Sequence, residues 1–185
     1  MGKVFVTSDT HFGHSKNFLY EPRGFNNIYS HDKTIIQNWN NIVQPEDDVY
    51  LLGDVMLNDN NYGLFCLKQL KGKIHIIRGN HDGNLRMELY KNCWNVVEVC
   101  EGKFYRYGKY HFYMSHYPCL CGNLDGDKPL KFRTVSLCGH SHYQNPFEDW
   151  DKGLIYHVEM DTNNCTPWLL DDIITNMKEK YRLGD

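Results

Sequence analysis

Five times in this sequence an apolar, β-prone run stops at a short polar block, and every block carries Asp, Asn or His. The blocks are Asp9-Thr10-His11, Gly53-Asp54, Gly79-Asn80-His81-Asp82, Ser115-His116 and Gly139-His140-Ser141-His142. Residues two apart in an extended chain point the same way. Asp9 with His11, and His140 with His142, can therefore each aim two side chains at a common point. Carboxylate, amide and imidazole groups suit borderline divalent metals. None of the blocks contains cysteine, which argues against a closed structural zinc site. Singly the blocks are weak signals, since Gly-Asp after a strand is a commonplace turn and a lone Asp-x-His is usually a solvated loop. Five in this order, each closing a strand, form a pattern that chance rarely supplies. The glycines at 53, 79 and 139 let the backbone turn tightly beside the shared pocket.

The runs between the blocks define the fold. Residues 3–7, 48–52 and 73–77 are β-prone and alternate with helical patterns. Ile35, Ile36, Trp39, Ile42 and Val43 share one helix face, which starts at Ser30 or Asp32 and stops before Pro45. A second helix covers Tyr62 to Leu70. From Trp94 onward strands dominate, at 95–100, 103–107, 111–115, 134–138 and 154–159. Thr166-Pro167 then predicts an N-cap and first turn for a helix reaching about Tyr181. Helices alternating with strands, followed by a strand-rich half, predict an α/β fold of two packed mixed β-sheets (a β-sandwich) flanked by helices, in one domain spanning 1–185. Residues 117–133 lack periodicity and read as a long loop, the kind of segment that often carries function.

With 185 residues, 41% hydrophobic and 23% charged, the chain has the make-up of a globular protein and not of a disordered one. No apolar run approaches the roughly 20 residues of a membrane span, and the sequence enters a strand-like run too early for a signal peptide. The expected location is the cytoplasm. The seven cysteines are odd in number and scattered, the nearest pair being Cys119 and Cys121. Cys66, Cys93, Cys100 and Cys138 lie among apolar residues, where free thiols pack as small hydrophobes. A net charge of -3 offers no general attraction for nucleic acid or an anionic membrane; bound cations could supply what the side chains do not.

The ordered blocks resemble the signature of the calcineurin-like metallophosphoesterases: Asp-x-His, Gly-Asp, Gly-Asn-His-(Asp/Glu), His, Gly-His-x-His. They run from residue 9 to residue 142. Ser8 to His14, and Trp39 to Val43 ahead of Tyr50 to Asp54, are similar to a small bacterial and phage-type branch of that family. The resemblance implies two divalent ions, one held by Asp9, His11, Asp54 and His142, the other by Asp54, Asn80, His116 and His140. Asp54 would bridge ions about 3.5–4 Å apart, which share a hydroxide that attacks phosphorus in line. Manganese is favoured, with iron, zinc or nickel compatible with the same ligands.

By the same resemblance His81 is the general acid that protonates the leaving group, and Asn80 also meets substrate. Many relatives carry a second Asp where this chain has Leu57, so Asp82 is nominated to orient His81. His14 and Arg23 are further candidates for substrate contact. Lys128, Lys131 and Arg133 read more readily as a solvated loop than as phosphate ligands. His75, His111 and His157 are expected to be structural or surface residues, and His31 a helix-start residue. The implied function is hydrolysis of a small phosphoester, diesters ahead of monoesters. The rival is a non-catalytic interaction module on the same scaffold, and a nuclease would need a basic track that the net charge does not provide.

Overall fold

The computed structural model describes residues 2–120, 129–148 and 154–181; Cys121 and Lys128 lie outside them. Strands β1 (Val4–Thr7), β2 (Asp48–Leu51), β3 (Lys73–Ile77) and β4 (Val96–Cys100) lie side by side in parallel. Alternate side chains leave opposite faces of a strand, and here both faces are covered. Phe5, Val49, Leu51, Ile74 and Ile76 pack against helices, meeting Ile35 and Trp39 of α2 (Ile28–Ile42), Leu67 of α3 (Asn60–Leu67) and Tyr90 of α4 (Asn84–Lys91). Val4, Val6, Tyr50, Leu52 and Ile77 face the other way, toward Phe112, Val135 and Leu137 of a second sheet. Burial on both sides is why residues 4–6 and 49–52 are continuously apolar.

The second sheet has the order β5 (Lys103–Tyr107), β6 (Tyr110–Met114), β7 (Thr134–Cys138), β9 (Leu154–His157), β8 (Phe147–Glu148). Its central pairs are parallel and its outer pairs antiparallel. Helix α5 (Leu170–Tyr181) adds Leu170, Ile173, Ile174 and Met177 to the layer that contains the facing sheet residues. The described residues thus form two mixed sheets with flanking helices, as the residue pattern predicts.

Several boundaries differ for local reasons. Helix α2 begins earlier than Ser30 or Asp32, because the Asn27 side chain accepts from the Ser30 N–H and caps it. Helix α3 likewise starts before Tyr62, capped by Asp59. Thr166-Pro167 does not open the last helix. Trp168–Leu169 instead form strand β10, antiparallel to β1 through Phe5↔Leu169 and Val6↔Trp168, and α5 follows at Leu170. The unpaired edge of β1 captures those residues. A short helix α1 (Asn17–Tyr20) and helix α4 are additions that the residue pattern does not predict. The six described cysteines are free, and no helix among the described residues is long and apolar enough to cross a membrane.

Candidate metal centre

Parallel strands carry their C-terminal ends to one rim, and all five polar blocks follow such ends: those of β1, β2 and β3 in one sheet and of β6 and β7 in the other. The paired residues do converge, but not through an extended backbone. Asp9, His11, Asp54, His140 and His142 have φ of 59°, 47°, 52°, 75° and 52°. This left-handed region costs a residue with a Cβ about 1–2 kcal/mol and is concentrated at functional sites. Of the three block glycines, only Gly53 has positive φ. Gly79 and Gly139 are required by close approach: a Cβ there would overlap the carboxylates of Asp54 and Asp9 respectively.

The side chains meet in two overlapping groups able to hold a cation, Asp9 with His11 and His142, and Asp9 with Asp54 and His116. His11 Nε2 lies 3.4 Å from Asp9 Oδ1 and 3.7 Å from Asp54 Oδ2. His142 Nε2 is 3.8 Å from Asp9 Oδ1. Asp54 Oδ2 also faces His116 Nε2 at 3.6 Å and His81 Nε2 at 3.8 Å. Asn80 Oδ1 lies 2.8 Å from both His116 Nε2 and His140 Nδ1. The frame is held by backbone donors: His140 N–H to Asp9 Oδ2 at 2.9 Å and His81 N–H to Asp54 Oδ1 at 2.9 Å.

These groups have the chemistry of a cation site. Asp9 Oδ1 and both ring nitrogens of His11 are buried with no hydrogen-bond partner, a costly condition in a protein interior. His116 Nδ1 lies 2.8 Å from the Leu52 carbonyl, which can only accept. Nδ1 therefore carries a proton, and Nε2 is the ring nitrogen aimed at the Asn80 and Asp54 oxygens. Acceptors aimed at one another are relieved by a cation between them, and a backbone carbonyl behind the ring is a common way to orient a ligating His. The residues present fit divalent metal. Burial alone would raise the Asp9 carboxyl, but the adjacent His11 and the other neighbouring imidazoles hold it well below the usual range. Burial pushes His11 and His140 downward, favouring the neutral rings that metals bind.

Around this core the expectations divide. His81 reaches the open side, its side chain 40% exposed. His14 lies beside it as a buried wall, with rings 6.5 Å apart, and burial pushes it down to about 4. Asp82, nominated to orient His81, does something else. Its carboxylate accepts from the N–H groups of Asp54 (2.7 Å) and Gly79 (3.0 Å) and from the Tyr90 hydroxyl (2.7 Å), tying two ligand loops to α4. The turn that follows Gly79 sends adjacent side chains apart, so sequence neighbours do not share a task.

Arg23, expected to contact substrate, is likewise not on the open side. Its side chain is 1% exposed and ion-paired with Asp161. His31 is more than a helix-start residue: it is fully buried between Asp32 and Arg23. His75 bridges Asp48 and Glu98, and His157 is buried beside Glu159, both structural. Lys131 lies over the Phe132 ring. Asp161 was missed, although it closely follows the last apolar strand run, the same placement that marked the other blocks.

The calcineurin-like phosphoesterase superfamily domain matches residues 3–157. A Methanocaldococcus jannaschii protein known as uncharacterised protein MJ1445 is 33% identical over 189 residues, covering 99% of this chain and 95% of its own. The gene 66 protein of Mycobacterium phage L5 is 27% identical over 164 residues, 77% of this chain and 78% of its own. Among solved structures, a protein of unknown function from Aquifex aeolicus superposes with a TM-score of 0.68 at 22% identity, covering 95% of this chain and all of its own. An archaeal phosphodiesterase superposes with a TM-score of 0.50 at 19% identity, over 87% and 86% of the two chains. These two structures share the fold described above.

Proposed function

This chain belongs to the calcineurin-like phosphoesterase superfamily, and from that premise we propose that it is a metal-dependent hydrolase of small phosphoesters, diesters ahead of monoesters. The observation that carries the reading is the set of buried polar atoms without partners, Asp9 Oδ1 and the His11 ring nitrogens, beside the Asp54 carboxylate. Asp9, His11, Asp54 and His142 would hold one divalent ion and Asp54, Asn80, His116 and His140 the other, with manganese favoured. The ions, when bound, supply Lewis acidity toward water and the phosphoryl oxygens.

The chain's own residues do the rest. His81 stands at the open side with Nε2 close to Asp54; it holds a proton at a ring nitrogen and delivers it to the departing oxygen. A diester's alkoxide leaving group needs that proton, which is the reason for favouring diesters. The Asn80 amide and the neutral His14 ring position the phosphoryl group. Asp82 and Tyr90 keep the Asp54 and Gly79 loops in register while this happens.

The test is to strip the protein with a chelator, reload it with manganese, and follow chromogenic mono- and diesters together with the melting temperature. Hydrolysis should vanish and return with the metal. Stability should rise by about 2.7 kcal/mol at a hundredfold excess over the dissociation constant. His81→Ala should keep its metal and lose about 10²–10⁴ in rate, least for nitrophenolate esters. An equal loss across leaving groups would remove His81 as the acid. A protein indifferent to chelator and inert toward every ester would be the interaction module instead.

A further inference from the structure

We infer that Asp161, clamped by Arg23, is the positioning residue that sets His142 as a metal ligand, so that one cation position is braced by a buried ion pair. The inference rests on the proposed metal centre and concerns residues outside its ligand set.

Asp161 lies in the 3-10 turn Met160–Asn163, just past β9. Its carboxylate is gripped from two sides of one guanidinium, Arg23 Nε to Oδ1 at 3.0 Å and Nη2 to Oδ2 at 2.6 Å. Both side chains are almost wholly buried, 1% and 4% exposed. The rest of the guanidinium is spent inward as well. Nη2 donates to the Asp9 carbonyl at 3.0 Å, and Nη1 meets His31 Nε2 at 2.9 Å. His31 is held through Nδ1 by Asp32 at 2.8 Å, whose other oxygen accepts from the Gly13 N–H at 2.9 Å. Arg23 therefore stands behind the Asp9 block with its donors engaged and is not presented to a phosphate.

Asp161 Oδ2 lies 3.0 Å from His142 Nδ1, and Arg23 Nη2 lies 3.3 Å from the same nitrogen. A guanidinium N–H can only donate and a carboxylate only accept, so the two contacts demand opposite states of Nδ1. The shorter one decides: Nδ1 carries the proton and donates to Asp161. In the neutral ring that a metal binds, Nε2 is then the lone-pair nitrogen, and it is the one facing Asp9 Oδ1, at 3.8 Å. A carboxylate behind a ligating imidazole fixes the tautomer and ring orientation and raises its basicity, and losing such a partner typically costs about 10–100-fold in metal affinity. His116 is backed instead by the Leu52 carbonyl. Removing Asp161 should therefore weaken one cation position and spare the other.

The experiment titrates manganese into chelator-stripped wild type, Asp161→Asn and the double variant Arg23→Gln/Asp161→Asn, resolving both binding events by calorimetry, with melting curves of the stripped proteins as the record of folding. The amide in Asp161→Asn keeps the shape but strands the buried Arg23 charge; the double variant removes that charge as well. The inference expects one dissociation constant to rise about 10–100-fold with the second unchanged, and Asp161→Glu to recover part of the loss. Two unchanged constants, or equal weakening of both, in a folded variant overturn it. If neither variant folds, the pair is structural and the inference also fails. Hydrolysis is not the readout, so the outcomes separate. A wild type that binds no cation sinks the reading of the centre, whereas variants that match a two-ion wild type sink only the role of Asp161.

Discussion

Replacing Asp82 by alanine removes an acceptor shared by the N–H groups of Asp54 (2.7 Å), Gly79 (3.0 Å) and Val55 (3.4 Å) and by the Tyr90 hydroxyl (2.7 Å). Asp82 is 1% exposed, so water does not reach these donors without opening the structure. Each stranded donor costs about 1–3 kcal/mol. Counting the three short bonds and allowing partial relaxation, the loss is about 3–5 kcal/mol, the range for breaking a buried charged interaction. Against a typical stability of about 5–15 kcal/mol that is a large share. At about 2–4 °C per kcal/mol for a chain of this size, the melting temperature should fall on the order of 10 °C. Tyr90→Phe deletes one of the bonds and leaves no donor stranded, so about 1 kcal/mol is expected. Urea unfolding of the metal-stripped proteins measures both. If Asp82→Ala stays within about 1 kcal/mol of wild type yet loses its dependence on leaving group, the carboxylate acts on His81 and the bracing role assigned above is wrong.

Asp54→Ala should bring the metal content well below two ions per chain, because Asp54 Oδ2 faces His11 and His116 alike; unchanged stoichiometry by elemental analysis would remove it as the shared ligand. Gly79→Ala should cost about 1–3 kcal/mol through overpacking and lower metal content, since its Cβ overlaps the Asp54 carboxylate. Gly83→Ala, whose Cβ meets open space, should be neutral in the same assays.

What the sequence reveals about this molecule follows the range of the forces involved. Strands such as 73–77 and 103–107 are legible to the residue because pleat periodicity and burial are local properties, and the polar blocks stand out because they interrupt those runs. Strand β10 is only two residues long and exists because β1 offers it an edge; no local signal separates Trp168-Leu169 from the start of a helix. Arg23 and Asp161 are 138 residues apart, and the pairing that buries the Arg23 guanidinium is invisible without the fold. Asp82 misled in the opposite sense, since adjacency to His81 suggested a shared task that the turn geometry denies. Helix α4 mixes Asn, Arg, Glu and Lys among its apolar residues, leaving little amphipathic pattern to find.

The centre lies on the seam between the two sheets: Asp9 belongs to the first, His140 and His142 to the second, and the His140 N–H reaches Asp9 Oδ2 across 131 residues of chain. A cation held by Asp9 and His142 would act as a cross-link closing that long loop. Secreted proteins make such closures with disulfides, but the six described cysteines here are free thiols. A coordinated ion makes the same closure without an oxidant and releases it without a reductant. The fastening between the two halves would then follow the supply of free metal and not the redox state of the surroundings, so that starvation for the ion loosens the protein as it silences the chemistry.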